Sequence, residues 1–241
     1  MTRRATQAGV TLMELLIAVT LLSMLSVGMV ISLRVGLSAM YKTDDRLMGN
    51  RRVVGVERIL EQQVAGIMPV TADCPSSGGA PQPITFFQGE PASLRFASTC
   101  SLQQGSRGTP MILEYQVIPG ENGAGVRLVV NERAYTGSRA AGALCTAGAP
   151  APQFLAIDTG PGSFVLADKL AYCRFSYRDA PRPPLVPTWR PSWSNLNNPN
   201  QLLPSAIRFE MAPLLPDAAR LQPVALTMPI HVTRLPKDDT Y

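Results

Sequence analysis

The chain has 241 residues, 46% of them hydrophobic, with 22 Lys and Arg against 17 Asp and Glu, one histidine and four cysteines. A net charge of +5 spread without any run of like charges argues against a nucleic-acid-binding surface. A single histidine argues against a zinc centre.

The first predicted element is a helix of membrane length. Arg3 and Arg4 form a short basic leader, and an almost unbroken apolar run extends from Val10 to Leu33, closed by Arg34. As a helix this run spans roughly 36 Å, enough for a bilayer core of about 30 Å. Apolar side chains fill every face, so it is not a one-sided amphipathic helix. A secretory signal has a cleavage site after its apolar core. Here the one small residue placed for a cut, Gly9, precedes the run, so the run is retained. The leader arginines place the N-terminus in the cytoplasm and everything beyond about Arg34 on the far side of the membrane. Loss of Arg3 and Arg4 with the leader leaves a net charge of +3.

Glu14 is the informative residue. An ionised side chain in a spanning helix costs about 2.5–3.5 kcal/mol on insertion scales, and the sequence has no other charge between Arg4 and Arg34. A cut after Gly9 creates an α-amine at Val10, and a neighbouring subunit's amine is then a natural partner for Glu14. The plainer alternative leaves Glu14 hydrated at headgroup level.

Arg3, Arg4, Gly9, Thr11, Leu12, Met13, Glu14 and Leu15 together resemble the type IV prepilin family, which includes pilins and the pseudopilins of type II secretion. Val10 stands where that family usually has Phe. The resemblance implies cleavage between Gly9 and Val10 by a prepilin peptidase, methylation of the new amine, and an assembly role for Thr11, Leu12, Glu14 and Leu15. It also implies a pilin-like α+β fold, with a long N-terminal helix packed on an antiparallel β-sheet domain. The domains expected are a leader over residues 1–9, a helix over 10–67 that spans the membrane over about 10–33, and a periplasmic β-rich domain over 68–241.

The helix is expected to run from about Thr11 to Ile67. No proline interrupts Ser38 to Gly66, and Met40, Leu47, Val54, Leu60 and Val64 recur near helical spacing. Met68-Pro69 ends it. Beyond Pro69, turns rich in Pro, Gly and Ser alternate with short strands. These are expected at Ser93–Ala97, Leu113–Val117, Val126–Val130, Phe164–Leu166, Leu170–Tyr177, Ile207–Met211 and Val224–Val232. One sheet face is expected on the helix. Residues 180–204, rich in Pro and Asn, read as a long surface loop. Gly120–Gly125 reads as a hairpin turn rather than a phosphate loop.

All four cysteines follow the membrane segment, and none has metal-motif spacing. In an oxidising periplasm, Cys74–Cys100 with Cys145–Cys173 is the sequence-local choice among three connectivities. Four buried thiols are the alternative. His231, on the polar side of the last strand, reads as solvated rather than catalytic. Asp44-Asp45 and Asp238-Asp239 lack the oxygen-rich spacing of a calcium loop. No catalytic constellation, cofactor motif or small-molecule site is expected.

The C-terminal part, Phe175-Ser-Tyr177-Arg-Asp179, then Trp189 and Trp193, then Leu203-Pro204-Ser-Ala-Ile207-Arg208-Phe209, resembles the J-type minor pseudopilins of type II secretion. The W-type minor pilins share much of this layout. The resemblance implies an inner-membrane, single-pass subunit whose partners are other minor pseudopilins or pilins. Trp189 and Trp193, in the Pro-rich loop, are a candidate partner contact, with packing of that loop onto the domain as the favoured alternative. Two other classes compete. A membrane-anchored periplasmic binding or hydrolytic domain predicts a convergent polar pocket. A DNA-handling competence pilus component predicts a clustered basic face.

Overall fold

The computed structural model describes residues 11–76, 79–102, 107–148, 152–160, 162–179, 185–194, 203–214 and 223–232, without the side chains of 39, 41–54, 107 and 194. Helix α1 (Leu12–Ala65) comes first. It is followed by β1 (Ile67–Met68), β2 (Thr71–Cys74), β3 (Gln82–Thr85), β4 (Phe87–Gly89), β5 (Ser93–Cys100), β6 (Arg107–Pro119) and β7 (Val126–Ala134). Then come a short helix α2 (Ser138–Gly142), β8 (Cys145–Thr146), β9 (Gln153–Phe154) and β10 (Phe164–Arg178). The last elements are β11 (Trp189–Arg190), β12 (Trp193–Ser194), β13 (Ala206–Pro213) and β14 (Val224–Pro229). The protein is thus α+β: an apolar N-terminal helix followed by an antiparallel β-sheet domain. Its two compact units are Met1–Gly49 and Asn50–Tyr241, and α1 passes from one into the other.

In the second unit the strands form one large antiparallel sheet in the order β12-β4-β5-β6-β7-β10-β13-β14, with β1 paired to β5 and β11 to β10. Alternation along the strands sends Leu94, Phe96, Leu113, Tyr115, Leu128, Val130, Phe175, Phe209 and Met228 into one core. The last turns of α1 bury Leu60 and Val64 in that same core, each contributing about 1.5–3 kcal/mol by leaving water. The helix stops at Ala65, ahead of the expected proline signal. Tertiary pairing overrides it: Gly66 O accepts Thr99 N at 2.9 Å, and Ile67 pairs with Ser98 in β5. A Cβ on Gly66 would lie 2.8 Å from Ser98 Oγ, so glycine permits this close approach.

One sheet face packs on the helix as expected, and over part of its width the other face is covered too. Ala97 and Ile112, on the side away from α1, join a second core with Val70, Ala72, Cys74, Phe86, Ala141 and Cys145. The small β2–β3 and β8–β9 ladders and α2 build this layer. Ser138 Oγ donates to Asp73 Oδ2 at 2.6 Å, and Tyr135 OH donates to Thr71 O at 3.2 Å.

The disulfide differs from the sequence-local choice. Cys74 is joined to Cys145, so neither Cys74–Cys100 nor Cys145–Cys173 forms. Side-chain direction decides this. Cys74 and Cys145 both point into the second core, whereas Cys173 points into the helix-side core, where burial pushes its thiol up to about 12. The bond closes a loop with a sequence separation of 71, which corresponds to about 4 kcal/mol by loop-closure entropy. Digestion without reductant should yield a peptide pair linked through Cys74 and Cys145. A Cys74–Cys100 pair would contradict this fold.

Residues 180–204 are not only a surface loop. β11 pairs with β10 and β12 pairs with β4. Asp179, 5% exposed, organises the crossing. It accepts from Thr188 N at 2.6 Å, Thr188 Oγ1 at 2.9 Å and Arg190 Nε at 3.0 Å. Burial alone would push its carboxyl up, but the Thr188 and Arg190 hydrogen bonds outweigh that and hold it below the ordinary range. The sign follows from linkage: stability from Asp179 is present above an unfolded value of about 3.9 and is lost as pH falls through the lower native value. Asp179→Asn should cost about 1–3 kcal/mol at neutral pH and weaken the acid dependence of unfolding below about pH 4. Tryptophan fluorescence during acid titration measures both.

Candidate functional site

The N-terminal segment is built from Thr11 onward. Thr11 caps α1: Glu14 N donates to Thr11 Oγ1 at 3.3 Å and to Thr11 O at 3.1 Å, and Leu15 N donates to Thr11 O at 3.2 Å. Threonine with glutamate three residues on is the spacing of a capping box. Glu14 therefore lies in the first helical turn, where the positive end of the helix dipole favours a carboxylate. Gly9 and Val10, the expected processing pair, lie outside the described residues.

The helix that follows exposes its apolar side chains on all sides. Leu12 is 81% exposed and Leu15 60%, and every residue of Leu12–Ser38 is exposed. Its few polar side chains satisfy themselves. Thr20 Oγ1 donates to Ile17 O at 2.9 Å, Ser23 Oγ to Thr20 O at 2.8 Å, and Ser26 Oγ to Leu22 O at 2.9 Å. That is what a helix in hydrocarbon requires, because no water is present to hydrogen-bond a loose hydroxyl. Leu12–Ser38 is long and apolar enough to cross a bilayer once. Glu14 breaks the pattern, as the one charge between the start of the span and Arg34.

The other residues marked in the sequence fall apart from this segment. Trp193 is not an exposed anchor: it is 2% exposed and packs in the helix-side core, because β12 docks it against β4. Trp189 is half-buried, with the Arg208 guanidinium 3.9 Å over its ring. His231 is exposed, beyond the end of β14. Gly120–Gly125 forms the β6–β7 turn, closed by Gly120 N on Gly125 O at 2.9 Å. The side chains of Asp44 and Asp45, and residues Asp238 and Asp239, lie outside the described residues.

Two buried polar groups escaped the sequence reading. Arg95 and Glu114 are each 1% exposed and pair at 2.8 Å. Arg95 also donates to Gln88 Oε1 at 2.7 Å and to Leu155 O at 3.0 Å, and Arg133 meets Glu114 at 3.1 Å. Burial pushes the Arg95 guanidinium down from its usual value, and Glu114 opposes that. Beneath α1, Gln63 Nε2 donates to Glu132 Oε1 at 3.0 Å, Ser101 Oγ donates to Glu132 Oε2 at 2.7 Å, and Tyr115 OH donates to Gln63 Oε1. Burial first, then Glu132, pushes the Tyr115 phenol well up, so it remains a neutral donor. Cross-strand register was the available clue to the first group: Arg95 and Glu114 lie opposite each other once β5 and β6 pair. Both groups fix the sheet and its helix; neither contains the pairing of nucleophile and base that catalysis needs.

Residues 4–30 match the family model described as the Prokaryotic N-terminal methylation motif. No curated protein matches the chain. The matched stretch carries Gly9, Thr11 and Glu14, and it is a type IV prepilin-like motif.

Proposed function

We propose that this chain is a minor pseudopilin, a structural subunit at the tip of a type II secretion pseudopilus. In this reading a prepilin peptidase removes residues 1–9 and methylates Val10. The helix anchors the subunit in the inner membrane with the β-rich domain in the periplasm, and the helix later packs with those of other minor pseudopilins. One observation carries the reading. A methylation motif over residues 4–30 coincides with a lone carboxylate, Glu14, at the head of a spanning-length helix none of whose residues is buried over Leu12–Ser38. An ordinary membrane anchor needs neither the charge nor the motif. The cost of the carboxylate makes sense where a neighbour's amine offsets it.

The β domain supports assembly as the work of the remainder. Its buried charges are consumed in holding strands together. The C-terminal layout from Phe175 to Phe209 favours the J-type pseudopilin over other prepilin-like subunits. The same layout supports a minor pilin of a type IV pilus as the second reading. Deletion of the chain separates them: the first reading predicts loss of secreted protein with normal surface pili, the second predicts loss of pili with normal secretion. Normal levels of both would overturn the assembly reading.

A further inference from the structure

Arginine is concentrated on one part of the domain surface that the sequence does not reveal. β10 alternates Cys173, Phe175 and Tyr177 into the core with Tyr172, Arg174 and Arg178 outward. In register, Ser176 lies opposite Arg208 and Arg174 opposite Glu210, so Arg174 and Arg178 are the two diagonal neighbours of Arg208. Diagonal positions on one sheet face lie about 7–8 Å apart, within reach of long side chains. Arg174 pairs with Glu210 at 2.6 Å. Among the described residues no carboxylate pairs with Arg178 or Arg208. Arg208 Nε donates to Thr227 Oγ1 at 3.3 Å, and its guanidinium lies 3.9 Å over the Trp189 ring. Two like charges thus occupy diagonal positions on one sheet face, with no carboxylate paired to either among the described residues, an arrangement that favours a bound anion.

We infer that this face, centred on Arg178 and Arg208, docks an acidic segment of a partner protein, taking its carboxylates on the two guanidiniums and its apolar side chains on Leu185 and Val186. Leu185 and Val186 are 68% and 77% exposed and lie just before β11, the strand that carries Trp189. Exposed aliphatics three and four residues before Trp189, the ring that Arg208 covers, suit a protein segment. They do not suit a phosphate backbone, which needs many more cations than two. Base stacking on Trp189 is also blocked on the ring face that Arg208 covers. The planar fork of arginine matches a carboxylate with two parallel hydrogen bonds. The inference rests on the reading that this domain meets other proteins, and it adds the face and the partner's chemistry.

The test uses the full chain in detergent micelles with a fluorescein-labelled peptide alternating Glu or Asp with Leu. Wild type should bind it, with affinity falling as salt rises and with a change in tryptophan emission as the Arg208–Trp189 stack is disturbed. The double variant Arg178→Glu, Arg208→Glu should weaken binding by at least about tenfold, because each reversal sets like charges against the peptide. Arg139→Glu, exposed on α2, makes the same kind of charge change elsewhere and should leave binding unchanged. If the double variant melts early, Arg178→Gln, at an exposed position, replaces it and should still weaken binding severalfold. Absence of binding, equal loss in Arg139→Glu, or tighter binding of a single-stranded oligonucleotide than of the peptide would overturn the inference. A chain that is methylated and assembles but ignores the peptide sinks this inference alone. Peptide binding by a chain never processed at Val10 sinks the functional reading alone.

Discussion

Glu114→Ala is expected to destabilise the β domain by about 3–5 kcal/mol, the loss typical of breaking a buried ion pair from one side. Arg95 would then be left with its charge 1% exposed and its carboxylate gone. Gln88 and Leu155 O would still accept two of its hydrogen bonds, but neither carries charge. A domain of this kind is stable by only about 5–15 kcal/mol, so the variant should unfold at markedly lower temperature or denaturant. The double replacement Arg95→Met, Glu114→Leu should recover much of the loss, since removing both charges also removes the desolvation cost. Denaturant titration of the detergent-solubilised protein measures this. A Glu114→Ala protein as stable as wild type would mean that the pair is not buried as described.

Glu14→Ala is expected to separate insertion from assembly. Insertion should become easier by about 2.5–3.5 kcal/mol, because a carboxylate no longer enters the span. Cap stability changes little, as Thr11 still accepts Glu14 N through the backbone of the replaced residue. Assembly should nevertheless fall by at least about tenfold. In a low-dielectric contact, an amine facing a carboxylate at about 4 Å gains on the order of 4 kcal/mol, and the variant forfeits it. His231→Ala, at an exposed position, serves as the comparison. Both variants should show normal membrane levels, and only Glu14→Ala should lose co-purifying minor subunits along with secretion or piliation. Normal assembly of Glu14→Ala with failure of His231→Ala would point instead to an anchored enzyme.

The helix was legible because its signals are local and repeated: an apolar run, no proline, and, Glu14 apart, no charge before Arg34. Strand positions were legible from alternation, most clearly in Val224, Leu226 and Met228. β10 was read as two pieces because its alternation breaks where Lys169 adopts φ 55° and the ladder to β7 shifts register. Such a bulge re-aims side chains without any mark in the composition. The sequence-local disulfide pairing fails for a related reason. Sequence distance said Cys74–Cys100, but the second layer on the sheet brings Cys74 to Cys145. The burial of Arg95 has no mark in its own strand, because its partner lies on β6 and Leu155 O accepts from it across the sheet face.

The candidate site divides in the same way. The prepilin-like motif is linear chemistry, a leader, a cut and a carboxylate at fixed spacing, so the sequence contains all of it. The arginine face is not linear. Arg178 and Arg208 are far apart along the chain and meet only through the β10–β13 register, so scattered arginines in the sequence became neighbours on a surface. Trp193 follows the packing alternative: a tryptophan in a proline-rich stretch is open to either reading until β12 is seen to carry it into the core.

The central claim is that residues 4–30 act as a prepilin-like methylation segment, and the mature N-terminus tests it most directly. Intact-mass and N-terminal peptide spectrometry of the protein purified from membranes should find a chain beginning at Val10, heavier by one methyl group than the unmodified peptide. A mature protein that retains Met1 through Gly9, or one cut beyond Leu33 so that the apolar helix and Glu14 are lost, would contradict it.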